Sequence, residues 1–238
     1  MLVNFIYIVG FIVFCNAASV SYIKPCKPTD NACMLASAQS AVGYVAAGIK
    51  EFGVISSDPL SIDDVRNDDA NLKMGFRNMK IVGASKCKIE SVTRDLDKST
   101  VTITVECPLK ANGQYDLKGK MLFFEAYGDG DFEIKTNRVK ITVVQKIKTV
   151  QGADGKKHWK ITGFDYSYDL VEKVDIRFDN LFDGDETRAK PILEIMNHSW
   201  KEMVTEVGGP IIKELLGEIV GIINKFYHAV PAENFEIL

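Results

Sequence analysis

The sequence predicts an α+β fold in which one long antiparallel sheet packs against helices. Three observations carry this reading. A helical apolar repeat near the N-terminus is followed by a run of period-two segments and then by one long helical repeat, with no βαβ alternation. The period-two segments run to about ten residues, against a usual five or six. The C-terminal repeat is apolar around most of its circumference, so it needs cover, and a long twisted sheet curled around it supplies that cover.

The chain opens on an apolar run, Leu2 to Phe14, broken by Asn4 and followed by Cys15-Asn16-Ala17-Ala18. The run is shorter than the ~20 residues of a membrane span and ends in small residues suited to cleavage. We therefore expect a signal peptide over 1–17, cut after Ala17 or Ala18. A single secreted domain, 18–238, remains. No later segment reads as a span, because Glu202, Glu206, Lys213, Glu214 and Glu218 interrupt the C-terminal apolar repeat.

The first helix is expected over Ala32–Phe52. Met34, Ala38, Ala41, Val42, Val45 and Ile49 share a face, and Gly53 stops it. Residues 54–60 are extended, since Asp58 precedes Pro59. Ile62 to Val65 follows, then a polar loop, Arg66 to Ala70. Leu72, Met74 and Phe76 alternate in a first strand. Lys86–Asp95 and Thr100–Leu109 form a hairpin turning near Asp97. Tyr115 to Phe123 alternates again, and Gly128-Asp129-Gly130 reads as a turn. Phe132, Ile134, Val139, Ile141 and Val143 mark a long strand. Gly152 to Gly155 is a hairpin turn. Trp159 to Tyr168 is the return strand, and Val174, Ile176 and Phe178 mark the last one.

The final helix is expected from Lys190 to Tyr227, roughly 55 Å at ~1.5 Å per residue. Gly208-Gly209-Pro210 interrupts it. Proline lacks the helical N–H and crowds the preceding turn, so a kink or break belongs there. It either shapes a cavity or follows the curve of the sheet.

Without the leader the chain keeps four cysteines, an even number for an oxidising compartment. Cys26 and Cys33 enclose a short turn-rich loop, and a disulfide there pins the entry to the first helix. Pairing the hairpin about Asp97 sets Cys87 opposite Cys107, Ile89 opposite Val105 and Ser91 opposite Ile103. Opposed residues stand about 4.5–5.5 Å apart, within disulfide reach. A bulge at the turn would shift that register, and two buried thiols are the alternative.

The chemistry of an enzyme is missing. His158, His198 and His228 fall in no zinc-protease motif and beside no recognisable nucleophile, and neither a GxSxG elbow nor a phosphate loop occurs. The acidic run from Asp179 to Glu186 puts Leu181 where a calcium loop needs a ligand. Neither a cofactor nor a metal is expected. The net charge of −3, with no Lys/Arg stripe, argues against nucleic acid. Asn197-His198-Ser199 is a glycosylation sequon, placed on the expected helix.

What remains is a large apolar interior. An apolar ligand offering roughly 400 Å² gains up to about 10 kcal/mol gross on burial, before ordering costs. Tyr44, Tyr127 and Trp200 are candidate polar groups for specificity; each also fits ordinary core packing.

Several motifs, in order, resemble the insect takeout and juvenile-hormone-binding proteins over nearly the whole mature sequence. They are Cys26-Lys27 with Cys33, Gly48 to Gly53 with Asp58-Pro59-Leu60, Tyr115 to Leu122, Gly128 to Phe132, and Asp179 to Asp185. The C-terminal element departs slightly, as Asn224-Lys225-Phe226 and Val230-Pro231. The resemblance implies a highly curved antiparallel sheet wrapped around the long C-terminal helix. This is a tubular lipid-binding fold with an apolar tunnel, shared with bactericidal/permeability-increasing-type domains. It implies a non-enzymatic, secreted carrier of a terpenoid, fatty acid or other small hydrophobic ligand. The hormone binders carry a second disulfide nearer the C-terminus, whereas no cysteine follows Cys107 here, which favours the takeout branch. Tyr44, Met121, Phe123, Trp200 and Met203 are the expected tunnel liners. The rival reading is a secreted interaction protein with a filled core that docks a receptor or another carrier.

Overall fold

The structure, a computed structural model, describes residues 20–237; the expected signal peptide lies outside them. Seven strands form one antiparallel sheet: β1 (Leu60–Asp68), β2 (Leu72–Val82), β3 (Lys88–Asp95), β4 (Thr100–Met121), β5 (Phe124–Gln151), β6 (Lys157–Leu170) and β7 (Val174–Phe178). The 22-residue β4 and 28-residue β5 pair along their whole length and make the spine. On the outer edge of β4, β2 pairs with the C-terminal half and β3 with the N-terminal half. On the outer edge of β5, β7 pairs near its start and β6 near its end. The sheet is curved and does not close into a barrel.

The strands correct the sequence reading in four places. Thr100–Leu109 and Tyr115–Met121 belong to one strand, not two. Gly128-Asp129-Gly130 is no turn but lies inside β5 near its start, facing Leu117, Asp116 and Tyr115. Its glycines serve close approach: a Cβ on Gly128 would lie 2.7 Å from Tyr115 Oη, and one on Gly130 2.4 Å from the Asp179 carbonyl oxygen. The real turn is Leu122-Phe123, between Met121 and Phe124, with Leu122 at φ 53°. The expected polar loop at Arg66 is strand as far as Asp68, held by Arg66 donating to both Asp116 carboxylate oxygens at 2.9 and 2.8 Å.

A bulge decides the second disulfide. The β3–β4 hairpin opens with Asp95 opposite Thr100, a register that would set Cys87 opposite Pro108. Glu90 bulges between Ile89 and Ser91, so Ser91 faces Thr104 rather than Ile103, while Ile89 recovers Val105. Cys87 thereby meets Cys107 at a Cα separation of 4.3 Å, and the two are bridged. Cys26 and Cys33 are bridged as well.

Helix α1 (Asn31–Ala47) is capped by Asp30, whose carboxylate accepts from the Cys33 N–H at 3.0 Å. It ends earlier than Phe52, because Gly48 turns the chain at φ 84°; a 3₁₀ turn, Lys50–Phe52, follows and stops at Gly53. The long C-terminal helix is broken twice. Helix α2 (Glu186–His198) starts ahead of Lys190, capped by Asp185. Ser199 interrupts it before the single turn α3 (Trp200–Glu202). A π-helical stretch, Met203–Val207, leads into α4 (Gly209–Ala229). The Gly208 N–H donates to the Met203 carbonyl, five residues back, at 3.1 Å. A Cβ on Gly208 would stand 2.8 Å from the Val204 carbonyl oxygen, which is why a glycine ends the wide turn. Pro210 sits in the first turn of α4, where no N–H is needed.

Two asparagines clip helices onto strand backbone. The Asn224 side-chain oxygen accepts from the Ile161 N–H at 2.7 Å, tying α4 to β6. The Asn197 oxygen accepts from the Ile176 N–H at 3.0 Å, and its nitrogen donates to the Ile176 and Leu193 carbonyls at 2.7 and 3.0 Å. Both polar ends of the sequon asparagine are thus engaged within the fold, and a glycan there would have to displace them.

Asp58 fixes the loop after α1 to the β2–β3 corner. Its carboxylate accepts from the Gly83 N–H at 3.0 Å, the Ser85 N–H at 2.8 Å and the Ser85 hydroxyl. Burial alone would raise this carboxyl; the bonds from Ser85 and Gly83 outweigh it and hold the group below its ordinary value. A depressed folded-state value means the unfolded chain binds the proton more tightly. The contribution is complete above the unfolded value of about 3.9 and is lost as pH falls through the lower folded one. Melting of wild type and Asp58→Asn between pH 7 and 2.5 checks this: the wild-type advantage is expected to be constant above pH ~5 and to shrink in acid.

Candidate functional site

The described residues form two apolar cores. One gathers Phe76, Tyr115, Met121, Phe132, Phe178, Met196 and Met203; the other gathers Trp159, Val220, Ile222, Phe226, Tyr227 and Val230. Between them lies a cavity of about 510 Å³. Each wall follows from a sequence period. Met34, Ala38, Ala41, Val42 and Val45 of α1 form one wall, and Ile212, Leu215, Ile219, Ile222, Ile223 and Phe226 of α4 a second. The sheet supplies the third, through alternate residues of β4 from Val101 to Ala111 and of β5 from Val139 to Gln145. The face of β5 then switches to Ile134 and Thr136, because an extra residue bulges opposite Cys107–Leu109. Ten residues of β4 span about 33 Å, so a volume of about 510 Å³ makes a narrow slot, not a sphere.

The slot borders both features noted in the sequence as structural punctuation. Val204, in the π turn, and Ile212, just past Pro210, both line it, so the helix break does shape the cavity wall. Cys87 and Cys107 line it too, so the second disulfide staples the sheet beside the slot. The α1 wall is held against β3 by Gln39, which donates to the Cys87 carbonyl at 3.2 Å and accepts from the Ile89 N–H at 2.7 Å.

One end of the slot is polar. Arg94, Val101, Gln145 and Phe164 stand opposite one another in a row across β3, β4, β5 and β6. Arg94 bonds Glu236 at 3.1 Å, with the two side chains only 11% and 9% exposed, and lies 5.7 Å over the Trp159 ring. Both residues line this end of the slot, and the segment that carries Glu236 is clamped to the first disulfide loop: the Cys26 N–H donates to the Phe235 carbonyl, and the Ile237 N–H to the Cys26 carbonyl. The Tyr227 phenol, also lining the slot, is raised above its ordinary value by burial and stays neutral. Gln145 is 1% exposed, and neither its Oε1 nor its Nε2 has a hydrogen-bond partner. Each such atom costs roughly 1–3 kcal/mol.

The residues expected to line a tunnel lie elsewhere. Tyr44 is 53% exposed on the outer side of α1 and stacks on Tyr22 at 4.0 Å. Phe123 is 68% exposed in the β4–β5 turn. Met121 and Met203 are buried in the first core, against which Trp200 packs. The Tyr127 hydroxyl is bonded to Arg188 at 3.2 Å. The end of the sheet that carries Met121 is packed with Phe76, Phe132 and Phe178. Gln145 went unnoticed in the sequence, although one signal was legible: it is the polar member of the inward series Val139, Ile141, Val143, Gln145, Ile147. Of the histidines, His158 pairs through Nε2 with Asp154 at 3.0 Å in the β5–β6 turn and does not line the slot.

The sequence profile of haemolymph juvenile hormone binding proteins matches residues 6–236. The chain belongs to that family. It is 24% identical over 230 residues to the circadian clock-controlled protein daywake of Drosophila melanogaster, covering 90% of this chain and 87% of the relative. The daywake of Drosophila yakuba is 23% identical over the same shares. The juvenile hormone-binding protein of Manduca sexta is 28% identical over 89 residues, 36% of this chain and 39% of the relative. Among solved structures, Takeout 1 of Epiphyas postvittana superposes with a TM-score of 0.86 at 25% identity, covering 91% of this chain and all of that one. The takeout-like fold of this family member is therefore established.

Proposed function

We propose that this protein is a secreted, non-enzymatic carrier of one long apolar ligand held in the slot between α1, α4 and the sheet. The observation that carries the proposal is the cavity itself: about 510 Å³, continuous between two cores and almost wholly apolar in its lining. Well-packed interiors leave few voids larger than a water molecule, so a filled-core interaction protein does not account for it. The slot's length suits a fatty acid, a fatty alcohol or an extended terpenoid. The family's juvenile hormone binders support the terpenoid class. The apolar run at Leu2–Phe14 and two disulfides support secretion.

Titration with a fluorescent fatty-acid analogue tests the reading. Saturation at one probe per chain, with blue-shifted emission and displacement by unlabelled fatty alcohol, is expected. No saturable uptake of any such probe would remove the carrier reading.

A further inference from the structure

The carrier reading leaves the ligand's chemistry open, and Gln145 narrows it. This side chain lies on the inward face of β5, between Val101 of β4 and Phe164 of β6, at the Arg94 end of the slot. It is 1% exposed, and its donor and its acceptor are both buried without partners. The charged pair at this end is already engaged. Arg94 is bonded to Glu236 and to the Asp95 and Thr100 carbonyls. At the far end, Thr136 Oγ1 accepts from the Arg138 N–H. Buried polar groups are paired as a rule, so an amide left open on both sides and lining an apolar slot has the form of a recognition group.

We infer that Gln145 is the head-group anchor of the slot, and that the natural ligand is an elongated apolar molecule ending in a group that both donates and accepts a hydrogen bond. A primary alcohol or a protonated carboxylic acid has that character. An ester or ketone has only the acceptor and would leave Oε1 unpaired. A carboxylate beside Gln145 gains little from Arg94, whose charge Glu236 already neutralises; the other cations lining the slot, Lys24 and Lys135, stand outside this row. The apolar tail then runs from Gln145 along Val143, Ile141 and Val139 toward Ala111 and the π turn.

The inference rests on the carrier reading, and the experiment separates the two. Displacement of N-phenyl-1-naphthylamine by 1-dodecanol, dodecyl methyl ether and dodecane is measured for wild type and Gln145→Met, a variant of similar shape without the amide. Wild type is expected to bind dodecanol more tightly than the ether or dodecane. Gln145→Met is expected to lose about tenfold in dodecanol affinity and to bind dodecane unchanged. Equal losses for dodecanol and dodecane, or no loss for either, would overturn the anchor while leaving the carrier standing. Failure of wild type to bind any of these probes would overturn the carrier and the anchor with it. A second measurement needs no variant: the Gln145 side-chain amide proton resonances of wild type are expected to shift downfield with dodecanol and not with dodecane. Unmoved resonances at saturating dodecanol would refute the anchor.

Discussion

Ala111→Trp is expected to weaken ligand binding close to a hundredfold while leaving the fold intact. Ala111 is half-buried on β4, opposite Ile81 and Ile134, and all three line the slot. An indole placed there enters the space the ligand needs. Displacing roughly 100 Å² of ligand contact costs about 2.5 kcal/mol. Overpacking a filled core costs about 1–3 kcal/mol of stability, but here the new side chain enters a void, so the melting temperature is expected to hold or rise. Titration with the fluorescent fatty-acid analogue, alongside thermal melting, checks both halves. Phe123→Ala is the control: its ring is 68% exposed and away from the slot, so its binding is expected to match wild type. Full affinity in Ala111→Trp would place the ligand elsewhere.

Removing the second disulfide, as Cys87→Ser with Cys107→Ser, is expected to be the most destabilising change short of gutting a core. The bridge closes a loop with a sequence separation of 20, against 7 for Cys26–Cys33. On the chain-entropy account these are worth about 3 and about 2 kcal/mol. For a domain of this size, about 3 kcal/mol corresponds to a melting temperature lower by roughly 6–12 °C. Because Cys87 and Cys107 also line the slot, probe affinity should fall together with stability. In the Cys26→Ser, Cys33→Ser variant stability should fall less. Denaturant unfolding of the two double variants decides the order. A smaller loss for the 87–107 pair would show that the staple contributes little beyond the surrounding sheet.

Most of the fold was legible because its signals are periodic. The α1 face read from Met34, Ala38, Ala41, Val42 and Val45 is the face that lines the slot, since a helical stripe needs only local spacing. The hairpin turns at Asp97 and Gly152–Gly155 were equally local. Features that depend on distant neighbours were hidden. Gly128 and Gly130 look like a turn in sequence, yet they are glycines because Tyr115 and the Asp179–Asn180 backbone crowd a straight strand. The Glu90 bulge, which aligns Cys87 with Cys107, has no sequence mark of its own. The expected liners and the residues that border the slot do not coincide. The spacing of Trp200 and Met203 correctly marks an inward face, but which of two cores or the slot between them that face meets depends on where the π turn redirects the helix. Gln145 could be found from sequence only by asking which inward position of a long apolar strand is polar.

The central claim is that the slot carries one long apolar molecule, and native mass spectrometry of protein secreted from insect cells tests it most directly. The account predicts a single mass excess per chain, lost on denaturation, with the released compound an extended lipid bearing one terminal hydroxyl or carboxyl group. A protein that emerges at its bare chain mass, and still gains none after incubation with dodecanol or palmitic acid, would contradict it.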